Sequence, residues 1–155
     1  MSVPTWKRKL SSAEFVYQTF QLCIRIGEIM VNKPQKYKVN YTDDIVKTSL
    51  EALKHLQIAD SIFMSKYTKE EDYLLRRKHL LLGKGLVEHV ATSSYVFLEL
   101  VRKHDFASEG ENNKYYSKLY DQEIEIGDRC ENCHKLISGV IKSDSELYNK
   151  YIKNK

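Results

Sequence analysis

At 155 residues, with 42% hydrophobic and 30% charged side chains, the chain has the length and balance of one folded domain, and is neither a disordered tract nor a disulfide-dense scaffold. Its 25 Lys and Arg against 21 Asp and Glu leave a formal charge of +4, a mild basic surplus that permits a polyanionic partner without requiring one. No run approaches the roughly 20 apolar residues of a membrane-spanning helix, so the sequence predicts a cytoplasmic protein with no membrane partner.

The surplus lies toward the N-terminus: residues 1–42 hold seven Lys/Arg against two acids, and residues 105–155 hold eight against ten. Residues 1–10 read as a basic arm. Its Trp6-Lys7-Arg8-Lys9 leads into a segment interrupted by Glu14, Gln18, Gln21 and Arg25, not into the continuous apolar run of a secretion signal. Ser11 and Glu14 have the spacing of a capping box, with Leu10 and Phe15 as its hydrophobic staple, so helix one should begin there. Phe20, Leu22, Cys23, Ile26, Ile29 and Met30 give it one wide apolar face. Asn32 and Pro34 then end it, because proline lacks a backbone donor and excludes helix from the residue before it.

Lys33 to Tyr41 is the connection. The chain has two prolines, Pro4 and Pro34, and none from Asp43 onward, so the rest can run as long helices. Thr42 should cap helix two, with Asp43 and Asp44 at the positive end of its dipole. Ile45, Val46, Leu50, Leu53, Leu56, Ile62 and Phe63 carry its apolar repeat to about Lys66. A second capping box, Thr68 with Glu71, opens helix three. Its apolar face is read as Leu74, Leu75, Leu81, Leu82, Leu86, Val90, Phe97, Leu98 and Val101, ending near His104, a length of roughly 35 residues or about 50 Å. Gly83 and Gly85 inside it either permit close packing against a neighbour, the reading adopted, or mark a bend.

Residues 105–113 are the most loop-like stretch, and helix four follows over about 114–142. Ser143 and Glu146 repeat the capping-box spacing, which predicts a separate short tail helix over 143–155 carrying Leu147, Tyr148, Tyr151 and Ile152. The fold class expected is all-α, a single up-down-up-down four-helix bundle domain with that tail.

One motif has the form of chemistry. Cys130-Glu131-Asn132-Cys133-His134 is the c-type haem attachment pattern, and with Cys23 as a fourth ligand the same residues form a zinc set. Covalent haem attachment belongs outside the cytoplasm, and zinc-binding CxxC pairs sit on turns that aim both thiolates at one metal. The reading adopted is therefore buried structural cysteine, with no cofactor and no metal. The chain has no glycine-rich phosphate loop, no HExxH and no nucleophile elbow. Its only intrahelical Glu with His three residues later is Glu131 with His134, half of a di-iron site. A non-enzymatic protein is expected.

Cations gather in two places, Lys33, Lys36 and Lys38 after helix one and Arg76, Arg77 and Lys78 early in helix three. In an antiparallel bundle these lie at opposite ends. Three consecutive cations also span about 200° of helix, so one of the second set should face a core edge or a neighbouring subunit. Tyr115, Tyr116, Tyr120, Tyr148 and Tyr151 enrich the C-terminal third in a residue suited to bundle edges and interfaces.

Pro34-Gln35-Lys36-Tyr37-Lys38, then Ala52, Leu53, Leu56 and Ala59, then Arg76-Arg77, then Leu136-Ile137-Ser138-Gly139-Val140-Ile141-Lys142-Ser143 occur in an order that resembles the accessory variability determinant proteins of diversity-generating retroelements. These have four-helix relatives encoded in ribosomal RNA intervening sequences. The likeness runs from about Lys33 to Ser143, and at Val140 the family often has tryptophan. It implies a non-enzymatic bundle that assembles as a ring-like homopentamer and binds nucleic acid, RNA or DNA, and a reverse transcriptase. The matching basic positions are Lys36, Lys38, Arg76 and Arg77, to which Lys33 and Lys78 are added as neighbours in charge. A relative serving another mobile element fits equally, and so does a protein-interaction bundle that uses helix three and the tyrosines without nucleic acid.

Overall fold

The computed structural model describes residues 13–105 and 114–154. All regular structure among them is helical: α1 (Glu14–Val31), α2 (Asp43–Ser61), α3 (Glu70–Asp105) and α4 (Lys114–Leu147), with short turns at Gln35–Tyr37, Lys38–Thr42 and Tyr148–Ile152. Ser11 and Leu10, half of the expected first cap and staple, lie outside the described residues.

Every helix turns a seam spaced alternately by three and four residues into the core. Phe15, Thr19, Leu22, Ile26 and Ile29 form it in α1, and Ile45, Ser49, Ala52, Leu56 and Ala59 in α2. In α3 it is Tyr73, Arg76, Leu80, Val87, Val90, Ser94, Phe97 and Val101, with Gly83 completing the period. In α4 it is Leu119, Glu123, Ile126, Cys130, Cys133 and Ile137, with half-buried Val140 and buried Asp144 continuing the spacing. This 3.5-residue period lets helices lie side by side at shallow angles with side chains interlocked. Sequential helices are neighbours, and α1 also packs against α4, which closes the layer around one core.

Cross-helix contacts fix the register. Along α2 and α3, Ala59 meets Arg76 and His55 meets His79. Along α3 and α4, Arg76 meets Asp144 and Glu88 meets His134. Along α1 and the connection that follows it, Arg25 and then Lys33 meet Glu125 and then Gln122 of α4. In each pair the numbering rises on one helix as it falls on the other. At Gly83 a Cβ atom would lie 2.5 Å from Leu56 Cδ2, so the expectation of close packing holds there. It fails at Gly85, where a Cβ would meet nothing within 4 Å.

Several expectations need correction. Thr42 is not a cap. It sits inside the wide turn Lys38–Thr42, its Oγ1 donates back to Lys38 O at 3.3 Å, and the Asp43 N–H bonds Lys38 O, so α2 is continuous with that turn. Thr68 is not a cap either, because its hydroxyl accepts from Ser65 N–H (2.8 Å) and donates to Phe63 O (3.2 Å), closing the connection between α2 and α3. The second helix stops at Ser61 rather than Lys66, and Phe63 is exposed. The separate tail helix does not exist as drawn. Ser143 and Glu146 lie within an α4 that runs unbroken to Leu147, held by burial of Asp144.

The apolar phase of α3 is also different. Leu74, Leu75, Leu81 and Leu82 are 53%, 46%, 46% and 41% exposed. Leu50, expected in the core of α2, is exposed as well. The seam runs instead through the less apolar Tyr73, Arg76 and Gly83, because Arg76 has a buried acid to meet and Gly83 admits Leu56.

Candidate nucleic-acid interface

The end of α1, the connection and the start of α2 enclose a cleft of ≈ 500 Å³. Its floor is apolar, formed by Gly27, Met30, Val31, Val46 and Leu50, and Lys33, Lys38 and Lys47 stand around it with Thr42, Asp43 and Gln35. Three cations around an apolar hollow suit an anion that carries an apolar portion, since the floor is desolvated while the ammonium groups meet the charge. The connection is fastened from below. Tyr37 packs edge-on against Phe97 of α3 with ring centroids 5.4 Å apart, and Tyr41 stacks on the same ring at 5.4 Å. Pro34, with an extended ψ of 138°, turns the chain off α1 into this anchor.

Lys33 is half-buried at the inner edge of the cleft, and its Nζ donates to Gln122 Oε1 of α4 at 2.6 Å. Burial, then the nearby charges of Lys118 and Arg25, lower its pKa to about 8. Lys38 and Lys47 are exposed. Lys36 stands outside the cleft on the same connection, its Nζ 5.0 Å from the Tyr37 ring centroid. Next to Gln122, Glu123 is buried, and burial together with the Glu99 carboxylate raises its pKa to about 7 against the opposing charge of Arg102.

The second basic cluster is elsewhere and differently used. Arg76 is buried: its Nε donates to Asp144 Oδ2 at 2.6 Å, and its Nη1 donates to the carbonyls of Ala59 (2.8 Å) and Ile62 (3.0 Å). The planar fork thus ties the end of α2 to α3 and α4, and its charge is neutralised internally. Arg76 therefore leaves the set of candidate nucleic-acid contacts. Half-buried Arg77 donates to Tyr73 Oη and Ser145 Oγ, both at 3.0 Å. Lys78 is exposed, beside Leu74, Leu81 and Leu82. From Arg76 to Phe97 is 21 residues of α3, so the two clusters are roughly 30 Å apart. As the sequence suggested, they form no single patch.

Lys47 was missed by sequence reading. It lies four residues after Asp43 and three before Leu50, hence on their helix face, and that spacing was the signal available.

The cysteines of the motif are part of the core. Cys23, Cys130 and Cys133 are buried and unbridged, and burial raises their thiol pKa values, to about 11 for Cys23 and about 12 for Cys130. His134 is turned from them to Glu88 of α3, Nε2 to Oε1 2.5 Å. Among the described residues, no group of three His, Cys, Asp or Glu side chains is arranged to hold a metal ion. None of the four helices is long and apolar enough to cross a membrane.

Comparison of the chain with protein-family models, with curated proteins and with solved structures finds no match.

Proposed function

We propose that this chain is a non-enzymatic accessory protein that binds nucleic acid at the cleft between α1 and α2 and works as an oligomer. The observation that carries the reading is the convergence of Lys33, Lys38 and Lys47 on one apolar-floored cleft. Lys36 extends the footprint along the connection. Lys78 and Arg77 belong to a separate surface, and Arg76 serves the fold. The reversed registers support an up-down-up-down course for the four helices, and the resemblance noted from Lys33 to Ser143 supports a cytoplasmic homopentamer partnering a reverse transcriptase of a diversity-generating retroelement or related element.

Assembly has its own supporting feature. Leu74, Leu75, Leu81 and Leu82 place a contiguous apolar face on α3, beside Arg77 and Lys78, which a lone molecule leaves in water. This face equally favours a second reading, a protein-interaction bundle indifferent to nucleic acid.

Fluorescence anisotropy with a labelled RNA and DNA at low salt tests the first reading, which expects binding that weakens steeply as salt rises. No binding at low salt rejects it. Light scattering with and without RNA separates the second, which expects the same oligomer in both.

A further inference from the structure

We infer that the cleft takes one unpaired nucleotide, so that the protein selects single-stranded over duplex nucleic acid. The inference rests on the reading of the cleft as a nucleic-acid site and adds the form of the ligand.

The cleft has two chemically different parts, and a duplex satisfies only one. Lys33, Lys38 and Lys47 can meet phosphates of either form. The floor of Met30, Val46 and Leu50 can be covered only by an apolar group that enters, and a duplex keeps its bases stacked inward behind the backbone. An unpaired base carries an apolar face on a short tether from its own phosphate, which matches an apolar floor beneath a cationic rim. The volume of ≈ 500 Å³ lies in the range of small-ligand sites, about 300–1,000 Å³, and suits a single nucleotide. Any base preference would come from Gln35 and Asp43, the lining side chains able to hydrogen-bond a base edge.

Gly27 provides the test. It lines the cleft, and a Cβ atom built there meets nothing within 4 Å, so a large side chain at this position grows into the cavity without displacing the core. The experiment compares a labelled oligouridine, longer than one binding site, with a duplex of equal length, using wild-type protein, Gly27→Phe and Leu50→Ser. Wild type should bind the single strand about tenfold more tightly than the duplex. Gly27→Phe should bring the single strand down to the duplex level without lowering the melting temperature, since it also removes a glycine from the interior of α1. Leu50→Ser, at an exposed position, should narrow the preference in part. Equal wild-type affinity for both forms overturns the inference and leaves the nucleic-acid reading intact, as does a preference that survives Gly27→Phe. Binding of neither form at low salt overturns both.

Discussion

At the α1–α2 end of the bundle, Lys38 and Lys47 are exposed, and Lys33 holds a single amide oxygen on Gln122. At the α2–α3 end, Arg76 is closed on a carboxylate and two main-chain carbonyls. Both ends look equally basic in the sequence, yet the first presents Lys38 and Lys47 to solvent while the second turns Arg76 into the fold. The difference follows from side-chain chemistry. A guanidinium has a rigid fork that can bind the last carbonyls of α2 and the Asp144 carboxylate together, whereas an ammonium on a flexible stem is a hydrated point charge. Around the arginine, the α2–α3 connection is short and tightly bonded. Around the lysines, the connection stands off the bundle on Tyr37 and Tyr41 and leaves a hollow.

The largest expected effect comes from exchanging the roles of the two ends. Arg76→Ala strands Asp144 as an unpaired buried carboxylate and should cost about 3–5 kcal/mol of stability in urea unfolding. Replacing the pair together, Arg76→Met with Asp144→Leu, should recover most of that loss. If Arg76→Ala instead unfolds like wild type and loses nucleic-acid binding, the assignment of the two ends is reversed.

Next in size is assembly. Leu81→Glu with Leu82→Glu puts charge on the exposed face of α3 and should convert the proposed oligomer to monomer in sedimentation velocity. As surface changes they should alter monomer stability by only about 0.5 kcal/mol. An unchanged sedimentation coefficient would remove this face from the interface.

Glu123 sharpens the comparison at the cleft end. A carboxyl whose folded pKa is raised from 4.5 to about 7 prefers its neutral form in the folded state, so the stability it contributes is lost as pH rises through that window. Glu123→Gln should therefore raise the melting temperature more at pH 8 than at pH 5. The same gain at both values would show that burial of this carboxyl carries no proton linkage.

The smallest effect concerns Lys33, whose pKa is lowered to about 8. It is charged below that value and loses its charge above it, so affinity for a polyanion should fall as pH rises from 7 to 9. Lys33→Arg, charged throughout, should flatten that profile. A profile that stays equally steep would place Lys33 outside the contact.

Much of the architecture was legible in the sequence. Pro34 marked the break after α1, and the proline-free remainder read as long helices; of the loop expected over 105–113, Asp105 belongs to α3 and the rest lies outside the described residues. The heptad phase of α3 was not legible by counting leucines, because leucine occupies both faces and the buried seam includes tyrosine, arginine and glycine. What burial selects there is complementarity across the core: Arg76 to Asp144 and Gly83 to Leu56. Those partners are 68 and 27 positions apart, beyond the reach of local periodicity. The rule that three consecutive cations cannot all face solvent foretold that one of Arg76, Arg77 and Lys78 would turn inward, and left open which. The cleft was half visible. Lys33 and Lys38 were read from the cluster after α1, while Lys47 and the apolar floor needed the packing of two helices to come together.

The central claim is that charge is presented at the cleft and consumed at Arg76. Its most direct test is the salt dependence of oligonucleotide binding for wild type and for Lys33→Gln/Lys38→Gln/Lys47→Gln. Three lost phosphate contacts on a single strand should lower the slope of log affinity against log salt by about two, with melting unchanged. A triple variant that keeps the wild-type slope would contradict the claim.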